Sequence, residues 1–417
     1  MDSNNDKVHE DKITTISNDT IEYGHCLKSL FLLDKTKTNF NHGSFGAVAI
    51  DVFDAHIELL REQELFPEIW FRKTIYDYNK RSRELIANMI NSNIDDVVLV
   101  ENASSAVNSI LRSYKFEAND RVIVFSSIYK MCSDTITRLL SSLMNVTVLE
   151  VQIPYPLIDE SVLINEFKKC LAEYNSDDGV IRMAIFSHIS SMPTMIEPVV
   201  ALIKIAKAAG ITVLIDGAHA PGVINIDVKE IGADYYTGNL HKWCYCPKGS
   251  AFLWTNPQVV TEYHPQPTVI SSTGQYSYVG RYDYTGTRDY TAFYALPAAL
   301  NFINNKLGGL KSMQSYNRNL LKQGCDLLVR EWNTSYLVPE SMTAFMSNII
   351  LPIQTSEACS TLQKRLMEEN NISMIYGLVT TSNNTKIFYT RISAQVYMSE
   401  EDFKVLAANV KRIILEL

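Results

Sequence analysis

The sequence predicts an α/β protein: a large domain with a mostly parallel sheet sandwiched by helices, and a smaller α+β domain at the C-terminal end. Three observations predict it. Short apolar runs alternate with stretches of helical spacing between residues 97 and 238, as in strands buried on both faces by crossover helices. Polar and small residues collect where those runs end, which is where such sheets hold their ligands. After Thr285 the order changes to long helices separated by single strands. A chain of 417 residues is long enough for two cores. The expected divisions are a polar N-terminal tail and arm (1–37), the large domain (38–289) and the small domain (290–417).

The elements follow in order. From about 46 to 92 the pattern is helical, with Pro67 interrupting it. VVLVEN (97–102) reads as a strand and the next fifteen residues as a helix. RVIVFS (121–126) is a strand, followed by a helix to about Leu143. VTVLEVQ (146–152) is a strand, and SVLINEFKKCLAEY (161–174) has helical apolar spacing. VIRMAIFSHI (180–189), ITVLID (211–216) and ADYYTG (233–238) are further strands, with a helix near 198–209 between the first two. Helices near 291–306 and 310–332 then lead to strand NIILPI (348–353), helix 357–370, strand KIFYTRI (386–392) and an amphipathic helix 400–416.

Composition narrows the class. The chain is 46% hydrophobic and 20% charged, ordinary for a water-soluble globular fold. A net charge of -8 argues against a general nucleic-acid or anionic-membrane surface, and no run of about eighteen apolar residues predicts a spanning helix. The N-terminal residues are polar and acidic, unlike a secretory signal or an Arg-rich transit peptide, so the expected location is cytoplasmic. The seven cysteines are scattered and odd in number, which suggests free thiols. Cys244 and Cys246 have no second Cys/His pair to complete a zinc site, so no metal is expected.

The chemistry concentrates between Val213 and Trp243. Asp216 ends the run ITVLI, and a carboxylate there is costly unless paired. Lys242 lies between His241 and Trp243 on a turn-like segment. One carboxylate and one lysine at strand ends are what a pyridoxal phosphate enzyme needs: the lysine forms the Schiff base, and the acid keeps a proton on the pyridine nitrogen. Read singly, Asp216 is a turn aspartate and His219 a satisfied core histidine. His219 can also face the cofactor's phenolic oxygen, and His241 and Asn239 its phosphate. VENASSAVNSIL (100–111) places Ser104 and backbone N–H groups at a helix N-terminus, equally an anion site or an ordinary cap. YTGTRDY (284–290) offers another phosphate contact. Arg391, in FYTRISAQVY (388–397), can clamp a carboxylate or form a structural ion pair.

Together these residues resemble the class V aminotransferase group of fold type I pyridoxal phosphate enzymes, in the isopenicillin N epimerase-like branch with plant-type L-cysteine desulfhydrases and hercynylcysteine sulfoxide lyases. The resemblance covers about residues 28 to 417. It rests on seven collinear segments: NFNHGSFGAV (39–48), ENASSAVN (101–108), SHISSMPT (187–194), DGAHAPG (216–222), DVKEIGADYYTGNLHKW (227–243), GTRDY (286–290) and RISAQVY (391–397). It implies pyridoxal 5'-phosphate as cofactor, with Lys242, Asp216 and His219 catalytic. Ala103, Ser104, Asn239 and His241 match phosphate-side positions, and Tyr129 falls roughly where a residue stacks on the ring. Thr287 matches a residue that reaches the phosphate of the neighbouring subunit, which implies a homodimer with shared sites. Arg391 matches the substrate-carboxylate arginine, with Asn41, His42 and Ser191 beside the substrate. Two departures stand out: Ser191 replaces a frequent asparagine, and Ser187 a frequent aspartate.

The cofactor leaves the reaction open. A desulfurase needs a nucleophilic cysteine in a mobile small-domain loop, and no cysteine here sits in an evident one. The likeness to cysteine desulfhydrases around SHISSMPT and the lysine segment favours β-elimination of a sulfur leaving group from L-cysteine or a cysteine-derived thioether or sulfoxide. An epimerase or aminotransferase on a larger amino acid is the alternative enzyme reading. A degenerate cofactor-fold binding protein is the non-enzyme one.

Overall fold

The computed structural model describes residues 21–174, 179–258, 265–271 and 277–417. Of the expected tail and arm, residues 1–20 lie outside the described residues. The arm enters through a two-residue strand, Thr38–Asn39 (β1). Seven strands then build the large sheet: Val97–Val100 (β2), Arg121–Phe125 (β3), Thr147–Val151 (β4), Ile181–Ser187 (β5), Thr212–Asp216 (β6), Tyr235–Asn239 (β7) and Ala251–Thr255 (β8). Their spatial order is β2-β8-β7-β6-β5-β3-β4. The run from β7 to β4 is parallel, whereas β8 is antiparallel to both neighbours.

Period-two alternation explains why these runs are apolar throughout. Val97, Leu99, Ile123, Phe125, Ala184, Phe186, Val213 and Ile215 enter one core. Their neighbours Val98, Val100, Val122, Val124, Met183, Ile185 and Leu214 enter a second core on the opposite face. Helices cover both faces, among them Ala103–Ser113, Glu160–Glu173 and Val199–Ala208. β8 is absent from the strands expected above. It returns antiparallel beside β7 without a crossover helix, so the alternation that marks the other strands stops before it.

The C-terminal part is a three-stranded antiparallel sheet in the order β11-β12-β9, from Met346–Ile350 (β9), Ile375–Thr380 (β11) and Lys386–Ser393 (β12). Helices Leu310–Trp332, Ser356–Asn370 and Glu400–Leu415 accompany it, the last begun by a capping box of Ser399 and Asp402. β11, IYGLVT, is not among the strands expected from the sequence although its residues are mostly apolar; only Val379 is buried in it. Strand Ile372–Ser373 (β10) pairs in parallel with β1, and the Phe40 N–H and carbonyl bond to Ser373 and Ser393 at 2.9 and 2.8 Å. Residues 38–40, expected to open the large domain, are thus stitched to the C-terminal one. Among the described residues, no helix is long and apolar enough to cross a membrane.

Candidate active site

Five strands of the large sheet end at one cavity of about 210 Å³. Asn102 follows β2, Tyr129 follows β3, Ser187 ends β5, Asp216 ends β6 and Asn239 ends β7. Register sets Ser187, Asp216 and Thr237 side by side in three adjacent strands. Asp216 Oδ1 accepts the Ala218 N–H at 3.0 Å, and the Cys132 thiol donates to Oδ2 at 3.5 Å.

Lys242 lies on the short helix Leu240–Trp243, directly after β7. Burial lowers its ammonium from 10.5 to about 8, against the partial support of Asp216 and with further lowering from Arg391. Its Nζ lies 3.0 Å from His219 Nε2, and the Trp243 indole N–H donates to His219 Nδ1 at 3.3 Å. Burial first, then the charges of Lys242 and Arg391, keep His219 neutral, its pKa pushed well below 6.5.

The phosphate-side residues form a cup at the N-terminus of helix Ala103–Ser113. Asn102 caps that helix through the Ser105 N–H at 2.9 Å. Asn239 accepts from the Ala103 N–H at 2.9 Å, which ties the helix to the end of β7. Ser104 and His241 complete the lining. The His241 ring donates from Nδ1 to the Ser250 carbonyl at 2.9 Å. A helix N-terminus with a hydroxyl suits a phosphate, and a nearby buried lysine and strand-end carboxyl suit the rest of pyridoxal phosphate. Tyr129 stands at the mouth, half exposed.

Arg391, in β12, reaches the same place from the C-terminal domain. It is 1% exposed, yet among the described residues it has no carboxylate partner. Its Nη1 bonds the Ser191 carbonyl and hydroxyl at 3.1 Å, and its Nη2 bonds Asn41 Oδ1 at 2.6 Å and Ser44 Oγ at 2.8 Å. Among the described residues its Nε has no hydrogen-bond partner. A buried guanidinium satisfied only by neutral oxygens is a strained arrangement that a carboxylate would relieve.

Three expected site residues do not line the cavity. His42 does not line the cavity. It is 1% exposed, bonded through Nδ1 to the Tyr397 hydroxyl and through Nε2 to the Lys242 carbonyl, both at 2.8 Å. Burial holds it neutral, down to about 3. Its place is behind the lysine helix, not beside a substrate. Thr287 is exposed, bonded to the Tyr284 hydroxyl at 2.6 Å, and outside the cavity of its own chain. Asn41 sits one step back from the cavity and holds Arg391.

Further residues join the site beyond those expected from the sequence. Ser44 and Phe45 line the cavity from the segment that follows Asn41. Glu197 is 2% exposed and accepts from the Ser187 N–H and the Ser127 hydroxyl at 3.1 and 3.2 Å. Burial pushes its carboxyl up to about 8. It returns a carboxyl group to the neighbourhood where Ser187 replaces the family's frequent aspartate. A glutamate inside the apolar stretch MIEPVVALI was the available signal.

Parallel sheet, strand-end carboxyl and buried lysine define a pyridoxal phosphate enzyme of fold type I. A family model described as aminotransferase class-V matches residues 70–406. The chain belongs to that family. L-cysteine desulfhydrase of Arabidopsis thaliana is 29% identical over 397 residues, covering 90% of this chain and 87% of that protein. Hercynylcysteine sulfoxide lyase of Schizosaccharomyces pombe is 25% identical, covering 93% and 97%. Among solved structures, the apo cysteine desulfurase of Thermococcus onnurineus NA1 superposes with a TM-score of 0.73 at 16% identity, covering 95% of this chain and all of that one.

Proposed function

We propose that this protein is a pyridoxal phosphate-dependent carbon–sulfur β-lyase. Its substrate is L-cysteine or a cysteine-derived thioether or sulfoxide, and its products are a sulfur compound, pyruvate and ammonia. The observation that carries this reading is the pairing of a partly buried Lys242 amine, its pKa lowered by desolvation, with a buried Arg391 that has no carboxylate partner among the described residues, in a chain similar along its length to a cysteine desulfhydrase and a sulfoxide lyase.

When bound, pyridoxal phosphate supplies an aldehyde for amines and a ring that stores the electron pair left at Cα. Ser104, the Ala103 segment and His241 would hold its phosphate. Asp216 would keep the ring nitrogen protonated. Arg391 binds the substrate carboxylate by exchanging neutral oxygens for a charged one, at roughly twice the bond strength. Ser44 and Ser191, freed from Arg391, then line the substrate. Lys242 Nζ, neutral above pH of about 8, accepts the Cα proton. The sulfur substituent leaves Cβ, and water converts the released unsaturated amine to pyruvate and ammonia. Among the described residues no cysteine lines the cavity, which supports elimination over sulfur capture by the protein.

The working unit in this reading is a cytosolic homodimer. The exposed Thr287 would reach the phosphate cup of the other subunit, and seven free cysteines suit a reducing compartment. Product analysis tests the reaction. Purified protein incubated with cysteine, an S-conjugate and a sulfoxide should release pyruvate and ammonia in equal amounts from at least one. Epimerised or transaminated amino acid without pyruvate would refute the lyase.

A further inference from the structure

His219 is held from opposite edges by two consecutive residues. Lys242 Nζ lies 3.0 Å from its Nε2, and Trp243 Nε1 lies 3.3 Å from its Nδ1. An indole N–H only donates, so the nitrogen it meets must be bare. A neutral imidazole carries one proton, and that proton must then sit on Nε2, the edge toward Lys242 and the cavity. We propose that Trp243 is a positioning residue, whose indole N–H locks His219 in the tautomer that presents Nε2–H to the cofactor.

The surroundings make the lock rigid. Trp243 is fully buried. The His42 ring packs on it at 4.6 Å and Phe345 meets it edge-on at 5.4 Å. A Cβ on Gly43 would come within 3.3 Å of the indole Cζ2, so the chain approaches it closely. His42 in turn bonds the Lys242 carbonyl. The indole therefore has little freedom to turn away from His219. The consequence is chemical. A ring with bare Nε2 would repel an oxygen anion, whereas Nε2–H donates to it. It also requires the Lys242 amine to be the acceptor in the cofactor-free protein, a state available above a pH of about 8, where the amine is neutral.

This inference rests on the reading of His219 as the group facing the cofactor's phenolic oxygen. Its test separates the two. The full-length protein is labelled with 15N-histidine, and the His219 nitrogens are assigned by loss of signal in His219→Gln. Wild-type protein should show protonated Nε2 and bare Nδ1 with cofactor bound, and also without it at a pH above about 8, where the Lys242 amine is neutral. Trp243→Phe keeps the ring and removes the N–H, and its His219 should become a mixture of both tautomers. The loaded variant should show a shifted visible absorption maximum and lower kcat with little change in KM.

Glutamine at 219 offers an amide donor whatever Trp243 does. Adding Trp243→Phe to His219→Gln should therefore change neither the spectrum nor kcat further. Nδ1–H in the wild type would overturn the proposal, even if Trp243→Phe failed to fold. So would an unchanged tautomer in Trp243→Phe, or an equal loss in both backgrounds. A correct tautomer in a protein that releases no pyruvate would instead defeat the lyase reading alone.

Discussion

Lys242 is partly buried, lines the cavity and has no ion-pair partner among the described residues. Burial therefore governs its charge, and the neutral amine gains weight as pH rises through about 8 instead of 10.5. The rate at which cofactor-free protein captures pyridoxal phosphate should rise with pH up to about 8 and then level off. Stopped-flow absorbance checks this, and a rate still climbing past pH 10 would mean that the lysine is solvated. Lys242→Ala should lose the visible band of the bound cofactor and about 10²–10⁴-fold in turnover. Normal absorbance and turnover through another lysine would contradict its role. At Arg391, burial lowers the guanidinium to about 10, so it stays charged at neutral pH. Arg391→Ala should cost on the order of 2–5 kcal/mol of amino-acid binding while cofactor binding persists. Calorimetry with a non-reacting amino acid measures it. Loss of cofactor with unchanged amino-acid affinity would make Arg391 structural.

At the scale of elements, the site depends on two backbone junctions. One is the cap of helix Ala103–Ser113, where Asn102 and Asn239 hold the Ser105 and Ala103 N–H groups. The other is the turn after Phe45. Gly46 has φ +70, and a Cβ there would meet the His241 carbonyl oxygen at 2.0 Å and Lys242 Cα at 2.8 Å. Both neighbours are backbone, so the lysine helix itself would have to move. Gly46→Ala should destabilise the fold by about 1–3 kcal/mol through overpacking. It should also slow capture of the cofactor, which thermal unfolding and absorbance read separately. A variant as stable and as fast as the parent would show that the helix has slack. No apolar pattern announces this contact, because it joins residues 46 and 241 through the fold alone. The strands whose ends build the cavity were readable for the opposite reason: burial on both faces forces them to be apolar throughout.

At the scale of the molecule, the two domains share the site instead of each owning part of the chain. β1 pairs with β10, and Arg391 leaves β12 to meet Asn41, Ser44 and Ser191. In the proposed homodimer Thr287, which lies outside the cavity of its own chain, would serve the other subunit. Light scattering should find a dimer, and Thr287→Ala should weaken cofactor binding without dissociating it. A fully active monomer would remove that role.

The sequence by itself determined the strands β2 to β7, β9 and β12 along the chain, and singled out the lysine, the strand-end acid and the arginine. Their signals are local: apolar period, strand ends and motif spacing. Tertiary structure decided what local signals cannot carry. It moved His42 from the expected substrate site to a place behind the lysine, because both ring nitrogens meet partners more than two hundred residues away or at Lys242 itself. It left Arg391 without an anion and set Trp243 against His219, since hydrogen-bond partners are chosen by packing in three dimensions. Side-chain chemistry was legible from one dimension. Which nitrogen carries the proton, and which charge is left unpaired, follows only from the fold that encloses them.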